Sequence, residues 1–448
     1  MIKSLREQFW YATAFLKKYI VQIGVGLFIT LFLGLGFGFA SRFLPKSKPS
    51  YRVGVIGQYT ASQLPPALIN LLNDGLTAIN DTMEPIPNVA EKWDIQDNGN
   101  TYVFYLKPGL KWSDGTDVKP QDIKMTIPGV SIETADPNII KFKIPSKFSP
   151  FPSLLNFPLV NYKGKVIGDY DIKLKQKTSG SITQAILDSK KENISFNVYS
   201  TTKQAITSFK LGQTDLILNM PSSEVDKDIS QYGFTRKTVN DNQVVILIFN
   251  QADANLKDKN VRQGLAYAIK DKAFGEDPAI STINPNSWAF NPLSKTYPYN
   301  IQRTKELIKS PMSLELSTQP ELLPIAEQIK NQLDSDLIQI SIKVVTSTPD
   351  QFQLFLTTYN IPIDPDQYRD WHSTQAGNIG KNTDEKIDKA LEDGRTTLDI
   401  KERKKIYLDF QKYFSEELPA LTLFHPSYLD IARKQAYFDV IKNSPNSD

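Results

Sequence analysis

The chain has 448 residues, 40% of them hydrophobic, with 52 basic against 49 acidic side chains and no cysteine. That length exceeds what one compact core absorbs, so two or more domains are expected. The absent cysteines exclude a disulfide scaffold, cysteine-ligated zinc and a lipid-bearing N-terminal cysteine, and two histidines, His372 and His425, are too few for a histidine-rich metal site.

Residues 19–40 carry no charge over 22 positions. At about 1.5 Å per residue, a helix of that length spans the roughly 30 Å hydrocarbon layer of a bilayer. Lys3, Arg6, Lys17 and Lys18 against Glu7 make the leading flank cationic. We therefore read 1–18 as a cytoplasmic segment, 19–40 as an uncleaved transmembrane helix and 41–50, with Pro45 and Pro49, as a linker. Gly38-Phe39-Ala40 offers a signal-peptidase site as the alternative, but the apolar run is longer than a signal core of about 7–15 residues. Beyond residue 40 the charges balance, 48 basic and 48 acidic, which excludes the overall basic field that nucleic acid requires.

From residue 51 to about 250, strand-like runs dominate. Residues 101–106 are β-prone, preceded by an Asn98-Gly99 reversal and followed by Ser113-Asp114-Gly115. Pro120 can open a short helix. Residues 138–144 form a strand that alternates from Ile140 onward, residues 146–161 form a proline-punctuated loop, and 244–249 are a buried-strand run. Then the periodicity changes. Val261, Leu265, Ala268 and Ile269 share a helical face that Asp258 can cap. A strand at 313–317, a helix carrying Ile325, Ile329 and Leu333, and an alternating strand at 338–344 make a βαβ unit with parallel pairing. A last helix from about 399 to 417 presents Ile406, Tyr407, Phe410, Tyr413 and Phe414 before Pro419.

The order of residues 106–122, Leu-Lys-Pro-Gly-Leu-Lys-Trp-Ser-Asp-Gly-Thr-Asp-Val-Lys-Pro-Gln-Asp, resembles the signature of the family 5 extracellular solute-binding proteins, receptors of oligopeptide, dipeptide and nickel ABC importers. Phe209-Lys-Leu-Gly-Gln-Thr-Asp215, Asn260-Val-Arg-Gln-Gly-Leu-Ala-Tyr-Ala-Ile-Lys-Asp271, Asp364-Pro-Asp366 and the stretch 418–428 also resemble family segments in order, so the likeness spans roughly residues 51–435. It implies an α/β, two-lobed, periplasmic-binding-protein-like clamshell (class II, cluster C type), preceded by the one transmembrane helix. Lobe I is then 51–243 with 417–435, lobe II is 244–416, and 436–448 is a frayed tail. The family's long helical insertion after the signature is missing, because residue 122 leads almost directly into strands at 130–144. Lobe I is expected to be trimmed.

With the apolar run 19–40 as its membrane anchor, the resemblance further implies an extracytoplasmic monomer. It would capture oligopeptides or a similar small solute in the interlobe cleft and hand it to ABC permease subunits with their ATPases, using no cofactor, metal or catalytic residue. Expected ligand contacts are Tyr59, Asn250, Trp288, Tyr359, Asn360, Asp364, Asp366, Trp371 and His372. Many peptide-binding members carry an aspartate, three residues before the Asp-Pro, that pairs with the peptide α-amino group. Here that position is Ile361, so Asp364 or Asp366 substitutes or the ligand lacks a free amine. Three rivals stand beside this reading: an anchored ligand sensor, a non-binding scaffold of the same fold, and an enzyme, for which no nucleophile elbow, zinc-binding His-Glu-x-x-His or phosphate loop is present.

Overall fold

In the computed structural model the chain forms two compact units, Met1–Pro49 and Ser50–Asp448. The structure describes residues 48–442 except 62, 73 and 135, together with residues 10, 13, 15, 17–22, 25, 28 and 30. In the first unit the described residues from 10 to 30 are helical, with the Phe15 and Tyr19 rings 4.8 Å apart, one turn along. Among the described residues no helix is long and apolar enough to cross a membrane. Most of the expected transmembrane stretch lies outside the described residues, as do 1–9, 41–47 and 443–448.

The second unit is α/β and two-lobed, each lobe organised by a large sheet. In the seven-stranded sheet the central strand Ser50–Ile56 runs parallel to both Asn193–Tyr199 and Leu216–Pro221, with Val53 opposite Phe196 on one side and Leu216 on the other. The helix Thr202–Lys210 joins these two neighbours. Thr201 caps it by accepting the Gln204 N–H, and Ala205, Ile206 and Phe209 on one face are buried. Asp215 then locks the edge of the turn by taking two hydrogen bonds from the Arg52 guanidinium, at 2.8 and 2.7 Å.

In the six-stranded sheet, Gln243–Phe249 lies between Leu354–Asn360 and Ala420–His425, antiparallel to both. Its Val245, Leu247 and Phe249 enter one core with Leu265, Ala326 and Ile329, whereas Val244, Ile246 and Ile248 enter a second core with Trp371, Ile387, Tyr407 and Phe410. Both faces are covered, which is why the run is continuously apolar rather than alternating. Met312–Thr318 and Ile338–Val344 pair in parallel, Leu314 opposite Ile340, across the helix Leu323–Leu333, the βαβ unit that the periodicity predicts. Asp258 caps the helix Lys259–Ala268 and Asp399 caps Ile400–Glu417.

A four-stranded antiparallel sheet, Ala90–Gln96, Thr101–Leu106, Ile139–Lys143 and Ser131–Glu133, has its own aromatic core of Tyr102, Phe104, Phe142 and Phe151. The Asn98-Gly99 reversal is a short 3-10 turn, Asp97–Gly99, in which Asn98 and Gly99 take φ of 53° and 95°.

The chain leaves the seven-stranded sheet after Val239 and returns at Pro426, between the strands Ala420–His425 and Ser427–Ala432. The boundary expected at 417 therefore shifts: Leu421 sits opposite Leu247 and Ala420 opposite Ile248, which places that strand in the six-stranded sheet. The expected tail also begins later than 436. Tyr437 packs edge-on against Tyr51 with centroids 5.5 Å apart, and Phe438 is buried beneath the Arg236 guanidinium. Aromatic burial, which tail composition conceals, holds these residues down.

Candidate functional site

The loop after Leu354–Asn360 turns through Asp364-Pro365-Asp366, and both carboxylates are engaged by arginines. Asp364 faces Arg403 in a bidentate pair, Nη2–Oδ1 2.7 Å and Nη1–Oδ2 3.1 Å, with the two residues only 7% and 5% exposed. Arg403 also donates to the Gly394 carbonyl at 2.8 Å and to the Tyr407 hydroxyl at 3.3 Å. Burial lowers the guanidinium pKa, but Asp364 and Tyr407 outweigh it and the net displacement is upward. Asp366 Oδ2 accepts from Arg395 at 3.0 and 2.9 Å, and Oδ1 accepts the Tyr368 N–H at 3.1 Å. Burial raises the Asp366 carboxyl above its ordinary range against the opposing charge of Arg395.

Arg395 does a second job. Its guanidinium lies between the rings of Tyr368 and Phe148, 4.3 and 5.1 Å from their centroids. Its carbonyl accepts the Ser149 N–H at 2.9 Å and the Ser149 hydroxyl at 2.8 Å. Phe148 and Ser149 follow the four-stranded sheet, so this clasp ties that sheet to the second lobe. A second contact lies at Trp288, whose backbone N–H donates to the carbonyl of Thr82, between the strands Thr77–Ile79 and Pro85–Pro87, at 2.8 Å.

The other expected contacts are distributed as follows. Trp288 is buried, edge-on to Tyr407 at 6.1 Å and beneath Arg403. Tyr359 donates to Asp370 at 2.9 Å and packs on Trp371, and burial first, then Asp370, raises its pKa well above the ordinary value. Trp371 is 2% exposed, with its ring 4.8 Å from Phe414. His372 stacks on Tyr368 at 4.1 Å and bonds Thr374 and Glu392. Tyr59 covers the end of the central strand, with its hydroxyl on the Ile56 carbonyl at 3.0 Å. Asn250, expected at a lobe crossing, is at the opposite end of Gln243–Phe249 from the crossing, roughly 20 Å away at strand spacing. There it bonds the Phe352 carbonyl at 2.7 Å. The structure thus gathers Trp288, Tyr359, Asp364, Asp366, Trp371 and His372 into one wall of the second lobe and leaves Tyr59 and Asn250 apart from it.

At the crossing itself, side chains that the sequence reading did not single out converge. Gln243 accepts the Tyr428 hydroxyl at 2.6 Å and donates to Asn360 at 2.8 Å, while its carbonyl is 2.7 Å from His425 Nδ1. Beside this hinge lies a cavity of about 440 Å³. Pro221 and Tyr428 reach it from the seven-stranded sheet, Ser222 from the turn that follows Pro221, and Val245, Thr358 and Phe424 from the six-stranded sheet. Its charged lining residues are Glu276 and Glu321. The one available signal is positional: Gln243 and Tyr428 are polar tips on the first and second residues of strands that begin at a crossing. Among the described residues, no group of three or more acidic or histidine side chains is placed to hold a metal.

This geometry, a small cavity lined from both α/β lobes, can bind a solute. The comparisons agree. The sequence profile of bacterial extracellular solute-binding proteins, family 5 (its middle part), matches residues 84–181 and 188–380. The dipeptide-binding protein of Escherichia coli is 23% identical over 445 aligned positions, covering 79% of this chain and 83% of that protein. Among solved structures, the ABC transporter substrate-binding protein CtaP of Listeria monocytogenes superposes with a TM-score of 0.72 at 19% identity, covering 87% of this chain and 94% of CtaP. The oligopeptide-binding protein AppA of Bacillus subtilis, in complex with a nonapeptide, superposes at 0.64 and 17% identity, covering 86% and 94%. The chain belongs to the bacterial extracellular solute-binding proteins, family 5, and is a binding protein rather than an enzyme.

Proposed function

We propose that this protein captures peptides or similar small solutes between its lobes, outside the cytoplasm, and delivers them to an ABC permease whose ATPases supply the energy. The observation that carries this reading is the hinge cavity, lined from both sheets in a chain whose relatives include a dipeptide-binding protein and a nonapeptide-bound receptor. Its volume suits one or two side chains, with main-chain hydrogen bonds holding the remainder. We assign ligand contact to Asn360, at the exposed end of its strand. Trp288, Tyr359, Asp364, Asp366, Trp371 and His372 form the wall that fixes the loop's shape. Tyr59 and Asn250 take ligand only at the cleft's outer edges. The uncharged run 19–40 acts as a single-pass anchor; the exposed apolar side chains Ile20, Val21, Val25 and Phe28 on the N-terminal helix favour it.

A thermal-shift screen of the purified protein against peptides, sugars and metal chelates tests this. A ligand at 100 times its Kd adds about 2.7 kcal/mol, so a true ligand class raises the melting temperature clearly. If no class does, the non-binding scaffold takes its place.

A further inference from the structure

We infer that the second lobe carries a separate small-molecule site, in which Lys272 receives the carboxylate of a ligand with an aromatic body. A cavity of about 330 Å³ lies between the end of Ile400–Glu417, the strand Ala420–His425 and the loop 295–299. It shares no lining residue with the hinge cavity. Its size is at the lower end of the range for small-molecule sites, about 300–1,000 Å³. Ring and hydrocarbon make up the walls: Ile280, Tyr297, Phe414, Leu418 and Leu421, with Tyr299 half exposed.

The lining also holds Lys270, Lys272 and Lys295 against one acid, Asp271. Lys295 is engaged by Glu416 at 2.7 Å. Asp271 is engaged by its own turn, accepting the Ala273 and Phe274 N–H groups at 3.0 and 2.9 Å. Lys272 differs from both. It is partly buried, and its ammonium donates to the Ile269 carbonyl at 2.5 Å, with no ion-pair partner among the described residues. That bond uses one of three donors. Burial lowers its pKa to about 8, with Asp271 acting the other way. Helix-end carbonyls do not absorb the charge either. Those of Ser415, Glu416 and Glu417 already have donors in Tyr297, Gln263 and Arg262. An ammonium short of acceptors and partly removed from water favours an added anion. One free ammonium matches the single charge of a carboxylate rather than the two of a phosphate, and the aromatic walls cover the rest of the ligand.

The test is calorimetric titration of the full chain with 3-phenylpropionate, its amide, acetate and inorganic phosphate. The aryl acid should bind at least about tenfold more tightly than each of the others. Lys272→Met should abolish that preference and Lys272→Arg should retain part of it, with circular dichroism melting to verify that both variants are folded. In the unmutated chain, bound aryl acid should shield Lys272 from reductive methylation while the exposed Lys270 still reacts, as read by peptide mass spectrometry. Equal binding of the acid and its amide overturns the charge contact. Acetate or phosphate binding as tightly as the aryl acid overturns the aromatic body. Unchanged binding in Lys272→Met, an unshielded Lys272, or no binding of the aryl acid at all overturns the site. These outcomes leave the peptide reading intact, because it rests on the other cavity.

Discussion

Asp364 and Arg403 close on each other through two hydrogen bonds in the middle of the second lobe, where both side chains are more than nine-tenths buried. A buried pair of this kind need not add much net stability, but removing one partner strands the other charge at about 3–5 kcal/mol. Arg403→Met leaves the Asp364 carboxylate unpaired and deprives the Gly394 carbonyl of its donor. Urea denaturation should show a loss of that size, and the double variant Asp364→Asn, Arg403→Met should recover a substantial part of it. A loss below about 1 kcal/mol would mean that water reaches the pair.

Arg395 couples the second lobe to the four-stranded sheet through the Phe148 ring and the Ser149 hydrogen bonds. Arg395→Ala removes the ring contact and the Asp366 ion pair together. Hydrogen exchange over residues 146–151 should accelerate while the strand Ile139–Lys143 stays protected. Arg395→Lys should rescue only in part, since an ammonium cannot lie flat between two rings. Unchanged exchange in Arg395→Ala would show that the backbone bonds suffice.

How far the sequence reaches is visible in these two arginines. Local spacing locates the parallel βαβ unit, the cap at Asp258 and the start of the last helix near residue 399. The arginine partners of Asp364 and Asp366 lie 39 and 29 residues further along the chain, and no local pattern joins them. A signal did exist: Arg403, Tyr407, Phe410 and Phe414 share one helical stripe, and a cation on an apolar stripe demands a buried acid. Asn250 was misjudged for a related reason. A strand has two ends, and the pairing of Val239 with Ser427 in the other sheet, just before Gln243, shows which one faces the crossing.

Gly377 is fixed by close approach rather than by backbone conformation. A methyl group there would stand 2.3 Å from the Arg369 carbonyl oxygen, an atom of the main chain that cannot step aside. Gly377→Ala should therefore lower stability by about 1–3 kcal/mol, the range for overpacking. The melting temperature checks this, and a value equal to that of the parent would show that the 373–380 loop yields freely.

Asp74 sets a pH dependence of its own. Burial, aided by the charge of Asp169 and opposed by Lys107, raises its carboxyl to about 6, against about 3.9 in an unfolded chain. The folded state therefore holds a proton that the unfolded state releases between about pH 4 and 6. By linkage, the stability contributed by this group is complete below about pH 4 and is lost as pH rises through 6. A shift of about two units corresponds to under 3 kcal/mol, and partial solvent access reduces it to about 1–2 kcal/mol. Asp74→Asn replaces the charged form with a neutral isostere, so it should stabilise the protein by that amount at pH 7 and by almost nothing at pH 4. Denaturation midpoints of the two proteins measured across pH 4–7 should converge toward the acid end. Parallel curves would mean that Asp74 is as well solvated in the folded chain as in the unfolded one.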